Sequence, residues 1–309
     1  MSLMRQTLLA AADNGWLRER AMRQPFVRRA VSRFMPGEAL DDALAAARRL
    51  HERHVGTILT HLGENVSSRE EIEAVQAHYV DALERIAAAG IDSEVSIKLT
   101  QLGLDQSERL AFDHTAQLAT RARERGARLW IDMEGSAYTE RTLALYRELR
   151  PAHPNLGVAL QAYLRRTPDD LDALLALGSA VRLVKGAYRE PATIAFPDKH
   201  DVDERFFELA RRMLAPEARA RGNWVTLGTH DARLIARLEA VVAAEGVPRD
   251  GFEFAMLFGI RRGEPERLIA AGYRARVLIS YGSHWFPWYM RRLAERPANL
   301  WFVMRSMLG

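Results

Sequence analysis

From residue 56 onward the chain repeats one hydropathy unit. A short, mostly apolar run is followed by a turn and then by a longer stretch whose apolar positions recur three and four residues apart. The apolar runs are Gly56–Leu62, Glu94–Leu99, Arg128–Asp132, Leu156–Leu160, Val181–Lys185, Trp224–Leu227, Phe252–Leu257 and Arg276–Tyr281, eight in all. Helical periodicity follows each, over Ser67–Ala89, Ser107–Arg125, Tyr138–Leu149, Pro168–Leu177, Val202–Arg221, Ala232–Glu245, Glu264–Ala271 and from Pro287 onward. Ser67 and Glu70 have the spacing of a capping box at the start of the first of these. Alternating strands and helices predict a parallel sheet. Eight units over about 250 residues predict an α/β closed (βα)8 barrel. An open, doubly wound sheet is the alternative, but no Gly-x-Gly-x-x-Gly follows the first strand.

The two ends depart from this rhythm. Residues 1–50 read as Arg-rich helices broken at Pro25 and Pro36, with an amphipathic helix over Gly37–His54. At the other end an aromatic segment, GSHWFPWYM, precedes a helix carrying Arg291, Arg292 and Glu295, and Pro297 starts another helix to Met307. Two helices stand where a plain barrel needs one. The expected organisation is a single barrel domain over residues 1–309 with an N-terminal helical extension over 1–55.

Composition narrows the function. The net charge is +4 and no cysteine is present, which excludes disulfides, thiolate metal sites and cysteine nucleophiles. Arginines are dispersed among Glu and Asp, as in ARERGAR, and do not cluster as a nucleic-acid footprint does. The N-terminus lacks a signal-peptide plan and no apolar run approaches a bilayer span, so a cytoplasmic protein is expected. Only three lysines occur, Lys98, Lys185 and Lys199. Two of them close apolar strand runs, where a compact ammonium differs in use from a guanidinium.

The chemistry concentrates on VRLVKGAYREP. A buried strand does not accept Arg182 and Lys185 without anionic or polarisable partners, and Gly186 and Ala187 leave room for a ligand against the backbone. Barrel sites lie at the C-terminal ends of strands. Those ends carry Lys98, Asp132, Met133, Gln161, Arg182, Lys185, Thr229, His230 and Asp231. Singly, each has an ordinary explanation: Asp132 caps a turn, Gln161 satisfies a loop, His230 neighbours a helix cap, the cations snorkel to solvent. Recurrence at one end of successive strands points to an active site. No metal-ligand set emerges; His51 and His54 share a helix face before the first strand and read as solvated. Lys185 with Asp132 as partner is also compatible with a Schiff-base lyase, and a non-catalytic barrel is a further alternative.

In order along the chain, VSIKLTQLGL, WIDMEG, LQAYLRRTPDDL, VRLVKGAYREP, THD, FEFAMLFGIR and YGSHWFPWYMRRLAERPAN resemble the proline dehydrogenase family from about residue 56 to the C-terminus. The resemblance implies a distorted (βα)8 TIM barrel that binds FAD, with its final helix over the C-terminal ends of the strands. It implies oxidation of L-proline, or a related cyclic amino acid, to 1-pyrroline-5-carboxylate, with hydride passed to flavin N5. It places Arg182 near N5 as a stabiliser of the anionic reduced flavin and Asp132 as an active-site acid. It assigns flavin contacts to Met133, Gln161, Lys185, Gly186, Ala187, Thr229 and His230. It assigns the substrate carboxylate to Lys98, Arg291 and Arg292, the Arg pair oriented by Glu295, and the ring pocket to Tyr188, Leu257, Leu278 and Trp288. Quinone, or another acceptor, would take the electrons through peripheral membrane contact. The family usually has tyrosine at the positions of Leu278 and Trp288 and glutamine at that of Ala255, which implies a reshaped substrate pocket.

Overall fold

Eight parallel strands close on themselves in the computed structural model, which describes residues 31–63, 66–286 and 288–289. Helix α1 (Leu40–His51) leads into β1 (Gly56–His61). Then follow α2 (Arg69–Ala89), β2 (Ser93–Ile97), α3 (Glu108–Glu124), β3 (Leu129–Ile131), α4 (Ser136–Leu149), β4 (Leu156–Gln161), α5 (Thr167–Ala176) and β5 (Ala180–Val184). The chain continues through α6 (Lys199–Leu214), α7 (Pro216–Ala220), β6 (Trp224–Gly228), α8 (Ala232–Ala244), β7 (Glu253–Leu257), α9 (Glu264–Ala270) and β8 (Arg274–Tyr281). Each strand pairs with its sequence neighbour, and β8 seals onto β1 in the register Gly56↔Arg276 to His61↔Tyr281.

The strand pleat sends alternate residues to opposite faces. Outward residues such as Leu59, Val95, Ile97, Leu129, Ile131 and Leu183 join the apolar faces of the helices in one continuous core. The lumen is different. Its apolar content is a small cluster of Ile58, Trp130 and Ala180 with the partly buried Trp224 and Leu278. Charged and polar side chains fill the rest, among them buried Glu94, Arg182, Glu253 and Arg276. That polar lumen positions the site described below.

Two local expectations shift. The cap of α2 is Ser68, whose hydroxyl accepts from the Glu71 amide at 3.1 Å, one residue later than the expected Ser67/Glu70 pair. The predicted helix Val202–Arg221 is two helices, because Ala215 is extended (φ −58°, ψ 146°) ahead of Pro216. A proline supplies no N–H to the helix ladder and drives the residue before it out of the helical region.

Helix α1 packs against β1 and β8, in the groove that a helix after β8 fills in a plain barrel. The described residues after β8 stand at the C-terminal rim of the strands. There Trp285 Nε1 donates to Glu38 Oε1 at 3.1 Å, and the Phe34 and Tyr289 rings lie 6.2 Å apart. A Cβ on Gly259 (φ +80°) would fall 1.8 Å from the Arg33 carbonyl, so the segment before α1 closes on the same rim. The expected helices before residue 31 and the one from Pro297 to Met307 lie outside the described residues. Among the described residues no helix is long and apolar enough to cross a membrane.

Candidate active site

Strands β2, β3 and β5 bring four polar side chains together in the upper lumen. Ser96 faces inward, and Lys98 follows directly after β2. Asp132 follows directly after β3; its N–H donates to the Ile97 carbonyl at 2.8 Å, so the pleat continues and its carboxylate points inward two residues after Trp130. Arg182 sits mid-strand in β5, not at the strand end where the sequence reading put it. Asp132 Oδ1 accepts from Ser96 Oγ at 2.8 Å and from Arg182 Nη2, and Lys98 Nζ lies 3.9 Å from Oδ2. Arg182 Nη2 also donates to Ser96 Oγ at 3.0 Å. Arg182 is only 3% exposed, and its Nη1 has no hydrogen-bond partner among the described residues. Gln161 Oε1 is likewise without a partner, while its Nε2 donates to the Met133 carbonyl at 3.4 Å. Buried polar groups are almost always paired. Both side chains stand on the inward face of adjacent strands, β4 and β5.

The loop after β5 is strapped at several points. Lys185 Nζ donates to Asp203 Oδ1 at 2.5 Å and to Asp231 Oδ2 at 3.1 Å, and Lys199 pairs with the same two carboxylates. Asp231 also caps α8 through the Arg233 amide. Burial opposes its charge, but Lys199 and Lys185 outweigh that and hold its carboxyl below the usual carboxylate range. Glu190 accepts from the Ser136 amide and hydroxyl at 2.7 and 2.6 Å, tying the loop to α4. Gly186 (φ +109°) is required by the chain itself: a Cβ there would lie 2.2 Å from Tyr163 Cδ1. The close approach expected of a ligand is thus made, on that side, by the Tyr163 ring.

These contacts correct the Schiff-base alternative. Asp132 is not the partner of Lys185; it belongs to Arg182, Ser96 and Lys98, and the Lys185 ammonium is committed to Asp203 and Asp231 instead of being presented as a nucleophile.

The other expected positions are placed as follows. Met133 and Thr229 are buried; His230, Ala187 and Tyr188 are half-buried at the rim. Thr229 Oγ1 accepts from the Asp231 amide at 3.2 Å. Leu257 and Leu278 are register neighbours on β7 and β8, both partly buried, and Trp288 is buried. Arg291, Arg292 and Glu295 lie outside the described residues. His61, at the end of β1, stacks 4.5 Å from His78 and 5.4 Å from Tyr281. Burial first, then the positive charges of His78, His284 and Lys98, lower its pKa to about 4.

A second charged layer, below the first, was not anticipated. Arg276 Nε donates to Glu253 Oε2 at 3.0 Å and lies 3.6 Å from Glu94 Oε2, and its Nη1 reaches Asp92 Oδ1 at 2.9 Å. Glu94 also accepts from Trp130 Nε1 at 2.6 Å and from Arg128 Nη1 at 3.3 Å, and Glu253 from Thr226 Oγ1 at 2.8 Å. Burial works against the Arg276 cation, but Glu253, Glu94 and Asp92 overcome it and raise its pKa; burial pushes the Glu94 carboxyl up. The available signal is the alternation Glu94, Ser96, Lys98 along β2 and the residue just after it, which puts all three on one face.

The family model for proline dehydrogenase matches residues 43–305. Proline dehydrogenase 1 of Bacillus subtilis (strain 168) is 38% identical over 276 residues, covering 89% of this chain and 90% of its own. Proline dehydrogenase of Deinococcus radiodurans is 35% identical over 311 residues, covering 99% and 98%. Among solved structures, proline utilization A from Bdellovibrio bacteriovorus inactivated by N-propargylglycine superposes with a TM-score of 0.80 at 21% identity over 94% of this chain, a likeness of fold. The chain spans about a third of that larger protein's length (36%). With a closed barrel, a polar mouth and full-length relatives of one name, the chain belongs to the proline dehydrogenase family, whose members are oxidoreductases.

Proposed function

We propose that the protein oxidises L-proline, or a closely related cyclic amino acid, to 1-pyrroline-5-carboxylate or the corresponding imine, using non-covalently bound FAD. The observation that carries this reading is Arg182: a buried guanidinium fixed on one side by Asp132 and Ser96, with Nη1 left for a partner. The orphaned Gln161 Oε1 on the neighbouring strand fits the amide-rich edge of a flavin ring. Arg182, Gln161, Met133, Lys185, Gly186, Ala187, Thr229 and His230 would hold the cofactor. The chemistry the flavin supplies when bound is acceptance of a hydride at N5 from the ring carbon next to nitrogen, which leaves negative charge on its ring system. Arg182 is preorganised toward such developing charge, and Asp132 prevents the guanidinium from turning away. Lys98, buried and within reach of Asp132, supplies a cation for the substrate carboxylate; the family resemblance assigns Arg291, Arg292 and Glu295 to the same carboxylate, for which a planar guanidinium offers two-point contacts. Tyr188, Leu257, Leu278 and Trp288 enclose the ring. Electrons then pass to a quinone or other acceptor through peripheral contact with a membrane.

The test is spectroscopic. Purified protein titrated with FAD should acquire the visible bands of bound oxidised flavin, and anaerobic L-proline should bleach them. Absence of flavin uptake overturns the cofactor assignment. Uptake with bleaching by an N-substituted or enlarged ring analogue, but not by proline, moves the substrate and leaves the cofactor standing.

A further inference from the structure

Arg182 rests on an aromatic floor. Its Cζ lies 5.1 Å from the centroid of the Trp130 ring, which is fully buried in the lumen. The indole is clamped at both edges. At the pyrrole edge Nε1 donates to Glu94 Oε2 at 2.6 Å, and Glu94 is itself held by Arg128 at 3.3 Å and Arg276 at 3.6 Å. At the benzo edge lies Gly157, the register partner of Trp130 on β4. A Cβ on Gly157 would fall 2.5 Å from Trp130 Cε3 and 2.6 Å from Cζ3. Gly157 does not have the positive φ that favours glycine, so it is there for space and not for backbone freedom.

A buried indole needs one acceptor for its N–H, and a neutral carbonyl or hydroxyl would serve. This one has a buried carboxylate committed to its N–H, although burying a carboxylate is costly unless it is paired. Two strand positions thus fix one ring plane, and the face presented upward carries the guanidinium. Tryptophan is the best of the aromatic side chains for holding a cation over its face, and the interaction strengthens where water is excluded. The carboxylate on Nε1 adds electron density to the ring beneath the cation.

We propose that Trp130, clamped between Glu94 and Gly157, is a positioning residue for Arg182: it sets the height and tilt of the guanidinium whose Nη1 faces the cofactor. This rests on the role given to Arg182 above.

The test uses the FAD-loaded enzyme and reads two quantities: the midpoint potential of the bound flavin, and the anaerobic rate of flavin reduction alongside the dissociation constant for L-proline. Trp130→Phe keeps a ring but loses the N–H and part of the face; Gly157→Ala keeps Trp130 and displaces it. Each should slow reduction roughly tenfold. Each should also lower the potential by about 30 mV, the two-electron equivalent of a tenfold loss, with proline affinity changed less than about twofold. Glu94→Gln, whose amide oxygen still accepts from the indole, should retain more of both quantities than Trp130→Phe. It also serves as the test should the other two variants fail to fold, and must then lie measurably below the native enzyme. A purely structural role would lower the thermal midpoint and leave potential and rate in place; that result in a folded variant overturns the proposal. Arg182→Lys separates the two layers of argument. If it lowers potential and rate while the Trp130, Gly157 and Glu94 variants do not, the positioning role is wrong and the role of Arg182 stands. If Arg182→Lys also leaves both unchanged, the role of Arg182 is wrong and the proposal falls with it.

Discussion

The barrel lumen holds two charged layers that differ in how completely they are paired. In the lower layer both oxygens of Glu94 and both of Glu253 are engaged, by Arg128, Trp130, Thr226 and Arg276. In the upper layer Arg182 and Gln161 each keep a buried atom without a partner among the described residues. Both layers carry the desolvation penalty of buried charge; the lower one engages every carboxylate oxygen internally, although the partly exposed Arg128 keeps its Nε without a partner among the described residues. The carboxylates of the lower layer are closed within the chain; the upper layer keeps a guanidinium nitrogen and an amide oxygen for the cofactor proposed above. Charge inside a barrel therefore does not by itself identify a site.

The largest expected effect breaks the closed layer. Arg276→Met leaves Glu94 and Glu253 buried without their shared cation and should destabilise the fold by about 3–5 kcal/mol, read as a lower denaturation midpoint in urea. The sign with pH is fixed. Burial already pushes the Glu94 carboxyl up, and losing the opposing Arg276 cation raises it further, so the native protein binds more protons than the unfolded chain and its stability falls as pH rises. The deficit should shrink when the pH is brought from 7 toward 5. A variant as stable as the parent at pH 7 would mean that the lower layer is not a closed network.

Breaking the open layer should act on rate before stability. Arg182→Met removes a stabiliser of developing negative charge, which at about 3 kcal/mol is roughly a hundredfold in rate. Stopped-flow flavin reduction should slow accordingly while the proline dissociation constant holds. Loss of affinity with an unchanged limiting rate would instead place Arg182 at the substrate.

A smaller effect sharpens the contrast at the rim. His61 has a folded pKa of about 4 against an unfolded 6.5. Between those values the unfolded chain binds the extra proton, so stability falls as pH drops through that window. After allowance for its partial exposure the contribution is about 1–2 kcal/mol. His61→Leu should flatten the stability profile between pH 6.5 and 4; an unchanged profile would show that His61 titrates normally in the fold. The smallest effect is that of Lys199→Ala. Lys199 is 73% exposed in its pairing with Asp203 and Asp231, so its loss should cost less than about 1 kcal/mol and leave flavin binding within about twofold. A larger loss of flavin affinity would mean that the charge quartet around Lys185 orders the loop after β5 for the cofactor.

Much of this architecture was legible along the chain. The eight apolar runs become the eight strands with ends moved by a residue or two, because burial on the helix-facing side demands Val, Leu and Ile wherever the barrel is placed. Lys98, Asp132 and Gln161 stood out because the end of an apolar run is also the end of a strand. Arg182 is conspicuous for its charge, but it stands two residues before the end of β5, and no local pattern shows that its guanidinium meets Asp132 across the lumen. The pairing of Lys185 was read wrongly. Asp203 and Asp231 lie 18 and 46 residues away, and nothing local distinguishes them from Asp132.

The sequence by itself determined the period of the barrel, the side of each strand that meets the helices, and the helix starts marked by Ser107 and Asp231. Those choices depend on neighbours a few residues apart, through the pleat, the helical turn and the caps. The tertiary structure alone decided which charge meets which: that Glu94 and Glu253 share Arg276, that Asp132 belongs to Arg182 and not Lys185, and that Gly157 makes room for Trp130. These pairings depend on barrel closure, which sets the register of β8 on β1 and brings inward side chains of distant strands within hydrogen-bonding range. No short-range pattern encodes a distance across the lumen.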